Sequence, residues 1–236
     1  MEAEPPLPET DTREKLLDCS PLFWNQFFDR KEQLDIDGDV FNVYFKGTQG
    51  PVFYLLHGGG YTGLTWSCFA EQLSAKIECR IIAPDLRAHG QTATKMRMIS
   101  QHNDKYKIYL TSTLKFTYIS SCSPLILIGH SMGGALAVHL VHAKLLPNVM
   151  AMAMVDVVEG SAISALSAMP NFLRGRPQQF ASEEKAIRWC LQSGTTINKR
   201  AARDNNSSTK YTLGGQTCPK ANRTGMAGSK DCHKSF

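Results

Sequence analysis

The sequence predicts an α/β domain whose mostly parallel sheet carries helices on both faces, and three observations carry that expectation. Four short runs, at 52–56, 79–83, 125–128 and 149–155, are apolar without alternation, the pattern of strands buried on both faces. Helical patterns separate them, near 66–75 and again after Gly133. Glycine-dense turns follow directly on two of the runs, His57-Gly58-Gly59-Gly60 and Gly129-His130-Ser131-Met132-Gly133. A chain of 236 residues forms one such domain with a sizeable core more readily than two small ones.

Residues 1–20 are polar and rich in Pro and Glu, and read as a flexible arm. Phe23, Trp24, Phe27 and Phe28 then fall at the i, i+1, i+4, i+5 spacing of an apolar helical face, which either packs on the core or meets a partner. Asp35 to Phe45 alternates loosely and Gly47 to Pro51 is a turn, so two antiparallel strands are expected ahead of the parallel sheet. The strand at 79–83 runs into Pro84-Asp85-Leu86-Arg87-Ala88-His89-Gly90, whose expected job is to tie neighbouring turns together by ion pair and hydrogen bond; Asp85 or His89 as a catalytic group is the lesser alternative.

Residues 92–122 form an atypical Lys-, Thr- and Tyr-rich stretch without a helical period. After the strand at 125–128, Ala135, Leu136, Val138, Leu140 and Val141 mark a helix that Pro147 would stop. Residues 161–193 read as a lid-like helical pair, the second helix capped by Ser182, with Arg174 and Arg176 placed to meet an acidic peptide or merely solvated. Polar, basic residues 199–236 cannot bury enough apolar surface to order themselves and are expected to be disordered.

The chemistry-bearing stretch is Gly129 to Gly133, a G-x-S-x-G pattern between a buried strand and a helix. A corner that tight has no room for a Cβ at either glycine, and it pushes the Ser131 hydroxyl outward at the sheet edge with the positive end of a helix behind it. Ser131 is thus the candidate nucleophile. The Gly59 or Gly60 N–H and the Met132 N–H are the candidate oxyanion donors, because consecutive glycines after a strand let backbone amides face a ligand oxygen. Asp156, at the C-terminal end of the strand 149–155, is placed to orient a histidine; a capping role for Asp156, or Glu159 as the acid, are the alternatives.

Composition excludes several classes. The first residues lack the apolar core of a secretory signal, and no apolar run approaches the roughly 20 residues that span a bilayer. Seven scattered cysteines with no C-x-x-C pair fit reduced thiols in the cytoplasm or nucleus better than a disulfide framework or a zinc site. The net charge of +5 is confined to 92–122 and the tail from Lys199, which carry +4 and +6, so the remainder is acidic and no nucleic-acid footprint is indicated.

Taken together, His57-Gly58-Gly59-Gly60, Asp85-Leu86-Arg87-Ala88-His89-Gly90, Gly129-His130-Ser131-Met132-Gly133-Gly134, Val155-Asp156-Val157-Val158-Glu159-Gly160 and Asn171-Phe172-Leu173-Arg174-Gly175-Arg176-Pro177 resemble the protein phosphatase methylesterases of the α/β-hydrolase superfamily. The last two stretches are the more particular to that family. The likeness covers 21–91 and 123–197, and implies a partial α/β-hydrolase domain at 21–198, incomplete at its C-terminal end. It also implies a monomeric serine carboxylesterase that needs no cofactor or metal. Its partner would be the protein phosphatase 2A catalytic subunit, from whose C-terminal leucine it removes a methyl ester.

By the same resemblance Ser131 is the nucleophile and Asp156 the triad acid. The triad histidine should follow Asp156, yet six of the seven histidines precede it. His233, the fourth residue from the end of the sequence, is the one candidate base, in a tail with no strand to position it. The expectation is therefore a truncated or misassembled form with impaired turnover. Its alternatives are a non-catalytic phosphatase-binding fragment and a small-molecule carboxylesterase.

Overall fold

The structure, a computed structural model, describes residues 18–36, 38–94, 123–146, 148–157, 177 and 180–208, the last four without their side chains. Six strands, β1 (Arg30–Ile36), β2 (Asp39–Lys46), β3 (Val52–Leu56), β4 (Arg80–Pro84), β5 (Leu125–His130) and β6 (Val149–Val155), form one sheet in the order β1-β2-β4-β3-β5-β6. β1 and β2 are an antiparallel hairpin, β2 lies antiparallel to β4, and β4, β3, β5 and β6 run parallel. The hairpin turn is held by Asp35, whose carboxylate accepts the Gly38 N–H at 2.9 Å. The two expected antiparallel strands thus precede the parallel sheet.

Both faces of the sheet are covered. On one, Val43, Phe45, Val52, Tyr54, Leu56, Leu125 and Leu127 pack under Leu136, Ala137 and Leu140 of helix α2 (Met132–His142). On the other, Tyr44, Leu55, Ile81, Ala83 and Ile128 meet Leu64 and Trp66 of a 3₁₀ turn (Gly63–Trp66) and Ala70 of helix α1 (Ser67–Ser74). Val52, Tyr54, Leu55 and Leu56 are fully buried, which is why β3 reads as a continuous apolar run.

The aromatic cluster differs from its expectation in one respect. Only Trp24 of the four lies within a 3₁₀ turn (Trp24–Gln26), with Phe23 just before it and Phe27 and Phe28 just after, in place of a longer helix. Phe27 and Phe28 turn into the core while Phe23 stays exposed, so core packing is the job of this segment.

Helix α3 (Glu183–Gln192) starts at Ser182, whose hydroxyl accepts the Lys185 N–H at 3.3 Å, as expected of its cap. The region from Lys199 corrects the expectation of a disordered 199–236 tail, because Lys199–Ser208 forms helix α4. Its polarity is one-sided: Ala202 and Asp204 are buried, and Ala202 packs with Cys19 and Ile187. Its outer basic residues act as clamps. Arg203 meets the Asp18 carboxylate at 2.8 Å and the Ser20 carbonyl at 2.6 Å, and Arg200 meets Glu71 at 2.5 Å. Residues 209–236, 95–122 and 158–176 lie outside the described residues, and with them Glu159, Arg174, Arg176 and His233.

Among the described residues no helix is long and apolar enough to cross a membrane, and β6 is the last strand of the sheet. Its side chains are exposed on both faces, with Met150 at 72% and Met154 at 52%.

Candidate active site

Strand register builds the site. Leu56 of β3 pairs with Gly129 of β5, and His130 of β5 with Val155 of β6, so three chain segments leave the sheet side by side. They are the glycine turn from His57, the Ser131 corner and the Asp156 corner. This is the C-terminal edge of the parallel strands, where open α/β sheets place their ligands.

Ser131 occupies the corner between β5 and α2 with φ 50° and ψ −116°, a backbone conformation that only glycine adopts without strain. Two glycines make it possible. A Cβ at Gly129 would lie 2.3 Å from the Gly133 carbonyl oxygen, and one at Gly133 would lie 2.3 Å from that of Leu56. The corner is tied down from two sides: the Ser131 N–H donates to the Val155 carbonyl at 2.9 Å, and the Ser131 carbonyl accepts from Gly134 at 2.9 Å and Ala135 at 3.1 Å. The side chain is exposed, and among the described residues nothing hydrogen-bonds its hydroxyl.

The glycine turn presses on this corner, since a Cβ on Gly58 would come within 2.7 Å of His130 Nδ1 and 3.3 Å of Ser131 Cβ. The three candidate donor amides have different fates. The Gly60 N–H donates to His89 Nε2 at 2.9 Å, whereas the N–H groups of Gly59 and Met132 have no acceptor among the described residues. Met132 is the first residue of α2, where amides have no partner within the helix.

Beneath the turn lies a buried polar frame. His57 donates from Nδ1 to the Gly58 carbonyl at 2.8 Å and accepts the Leu86 N–H on Nε2 at 2.9 Å, which requires the neutral imidazole. Burial drives its pKa down to about 3, with the neighbouring His89 adding to the effect. Asp85 accepts from the Gly63 N–H, the Gln91 N–H and Asn42 Nδ2, each at 2.8 Å. Burial pushes its carboxyl above the usual range, and these hydrogen bonds pull it back. Arg87 pairs with Asp39. Asp85 and Arg87 therefore tie the turns together by hydrogen bond and ion pair, and neither reaches Ser131.

Asp156 follows β6 directly, itself at φ 53°, with a side chain 76% exposed. The imidazole beside it belongs to His130, whose Nε2 is 3.8 Å from Asp156 Oδ2, outside hydrogen-bond reach. His130 Nδ1 is buried with no hydrogen-bond partner among the described residues, and the Tyr61 ring stands edge-on at 5.7 Å. Ser131, Gly59, Gly60, Met132 and Asp156 are thus brought to one edge, while His233 lies outside the described residues. Two neighbours were not singled out from the sequence: the His130 contact to Asp156, and the His89 contact to Gly60. Both depend on which loops meet. No group of three metal-ligating side chains occurs among the described residues.

Residues 53–210 match the family model described as Alpha/beta hydrolase family. The probable protein phosphatase methylesterase 1 of Caenorhabditis elegans is 51% identical over 200 residues, covering 84% of this chain and 55% of that protein. Protein phosphatase methylesterase 1 of Homo sapiens is 42% identical over 190 residues, covering 79% and 49%. The chain spans about half the length of these curated relatives. Among solved structures, E-2-(acetamidomethylene)succinate hydrolase is similar with a TM-score of 0.60 at 23% identity, over 76% of this chain and 63% of that one. The thioesterase domain from the curacin biosynthetic pathway gives a TM-score of 0.57 at 23% identity, over 76% and 67%. These two likenesses speak for the fold alone.

Proposed function

The chain belongs to the α/β-hydrolase family, and from that premise we propose that it is a serine carboxylesterase of the protein phosphatase methylesterase type. The observation that carries this reading is Ser131, exposed at φ 50° between β5 and α2, beside two N–H groups with no acceptor among the described residues. The Ser131 oxygen attacks the ester carbonyl carbon, and the charge that develops on the carbonyl oxygen is met by the Gly59 and Met132 amides. The C–O bond to the methoxy group breaks, methanol departs with the proton that Ser131 gave up, and water then hydrolyses the acyl-enzyme. No cofactor or metal enters these steps.

The proposed substrate is the methyl ester on the C-terminal leucine of the protein phosphatase 2A catalytic subunit, supported by the names of the relatives and by the particular motifs at 155–160 and 171–177. The proposed setting is a soluble monomer of the cytoplasm or nucleus. Asp156 is the proposed triad acid. No imidazole among the described residues hydrogen-bonds Ser131 or Asp156, and His130 Nε2 stands 3.8 Å from the Asp156 carboxylate. A serine triad working without its imidazole turns over about 10³ to 10⁶-fold more slowly, and slow turnover of this kind is part of the proposal.

Three measurements test it. A fluorophosphonate probe should label the full chain slowly and faster with added imidazole, and Ser131→Ala should abolish labelling. Hydrolysis of a C-terminally methylated phosphatase peptide should be slow, unchanged by His233→Ala, and accelerated by added imidazole, which restores a proton acceptor. Fast hydrolysis lost on both Ser131→Ala and His233→Ala would refute the impairment. Turnover of a short aryl ester with none of the peptide would instead favour the small-molecule esterase.

A further inference from the structure

We infer that His89 is a positioning residue for the oxyanion turn: by accepting the Gly60 N–H, it holds residues 58–61 so that the adjacent Gly59 N–H stays available to the reacting oxygen. This rests on the serine-esterase reading above and deepens it. His89 Nε2 accepts from Gly60 at 2.9 Å, so its proton sits on Nδ1, which donates to the Arg87 carbonyl at 2.8 Å. The ring therefore bridges two loops 29 residues apart, with each nitrogen in one defined role. The far side of the turn is closed by the Tyr61 N–H bonding the Gly58 carbonyl at 3.2 Å, and that same carbonyl also takes His57 Nδ1. With Gly58 held by His57 and Gly60 held by His89, Gly59 is the residue between two fixed points.

Consecutive glycines make such support necessary. Glycine has the largest range of backbone conformations, so three in a row specify no amide direction by themselves. An oxyanion donor helps only if it is already aimed before the charge develops. Of the three glycine amides, the one occupied by His89 cannot serve as a donor to substrate while that bond stands, which separates the roles of Gly59 and Gly60.

The bond exists only with neutral His89, since an imidazolium donates from both nitrogens and accepts from neither. The groups facing the ring are His57, whose ring is edge-on at 5.0 Å, Asp85 below it and the Arg87 carbonyl. Burial lowers the His89 pKa, against the opposing pull of Arg87 and Asp85, so the acceptor is present at neutral pH.

The test uses the full chain. His89→Ala should slow fluorophosphonate labelling of Ser131 by about 10- to 100-fold, the size expected when an oxyanion donor drifts from its aim. His89→Gln, whose side-chain oxygen can accept the same N–H, should restore most of that rate. The pH profile of labelling should lose one acid limb in His89→Gln. In the Ser131→Ala chain, which needs no chemistry, the Gly60 amide resonance should move with the same midpoint as the His89 ring.

Folded His89→Ala that labels at the wild-type rate overturns the inference, and so does a Gly60 amide that ignores the His89 titration. If His89→Ala does not fold, folded His89→Gln labelling at least tenfold below wild type overturns it. Wild-type chain that takes up no probe even with added imidazole sinks the serine reading, and this inference with it; labelling that is indifferent to His89 sinks only the inference.

Discussion

Replacing Ser131 by glycine should make the protein more stable than replacing it by alanine, the reverse of the usual order. The alanine variant keeps a Cβ at φ 50° and ψ −116°, and a non-glycine residue held in so sparsely populated a region costs about 1–3 kcal/mol. Glycine removes that strain but adds about 0.5–1 kcal/mol of backbone entropy lost on folding. The difference leaves glycine ahead by about 1 kcal/mol, within a range of about 0 to 2.5 kcal/mol. For a chain of this size that corresponds to a rise in Tm of about 2–4 °C per kcal/mol. The two variants share the loss of the hydroxyl, so their comparison isolates the backbone. Urea unfolding followed by fluorescence and circular dichroism measures it, with equal m-values as the check that the unfolded states match. Ser131→Gly less stable than Ser131→Ala would mean that the corner is not strained, and the argument that the fold forces this hydroxyl outward at an energetic cost would fail.

Other expectations follow from the same contacts. Gly129→Ala should destabilise by about 1–3 kcal/mol, because its Cβ would meet the backbone of Gly133 and Gly134 at 2.3–2.6 Å and neither can give way; Gly194→Ala, with open space around it, should cost less, and thermal melts of the pair compare them. Asp204 should make stability fall as pH rises: burial lifts its folded pKa to about 7 from 3.8, against Ser67 and Arg200, so the folded state binds the proton more tightly. Its stabilising effect is full below about pH 3.8 and lost as pH climbs through 7. Asp204→Asn should therefore be neutral near pH 4 and stabilising at pH 8, on the order of 1–3 kcal/mol, as read by urea midpoints across pH. Arg203→Ala should loosen α4 from the N-terminal segment by breaking contacts to Asp18 and Ser20, seen as faster amide exchange at Ala202 with little change in β3.

How much of this was legible depended on sequence distance. β3 and β6 fall where their apolar runs predict: at Val52–Leu56 a strand covered on both faces leaves no room for polar residues, whereas Val149–Val155 carries the same apolar pattern with its side chains exposed among the described residues. The Ser131 corner was legible for the same reason: its determinants, Gly129 and Gly133, lie within five residues. Helix α4 was not, since its composition is polar and its order comes from Asp18 and Ser20 at the opposite end of the chain. The aromatic segment misled by spacing, as a 3₁₀ turn can bury Phe27 and Phe28 without continuing into a helix. Of the oxyanion amides, sequence left Gly59 and Gly60 equivalent; only the approach of the loop carrying His89 separates them.

The hydrogen bond from Ser131 N–H to the Val155 carbonyl couples the reactive hydroxyl to the outermost strand among the described residues. A rim strand supported from one flank frays before the interior does. Catalytic competence should accordingly be the first property surrendered on warming, with probe uptake declining at temperatures where the central strands still give an intact spectrum. Any partner that laid backbone along the outer side of β6 would stiffen the nucleophile without touching it.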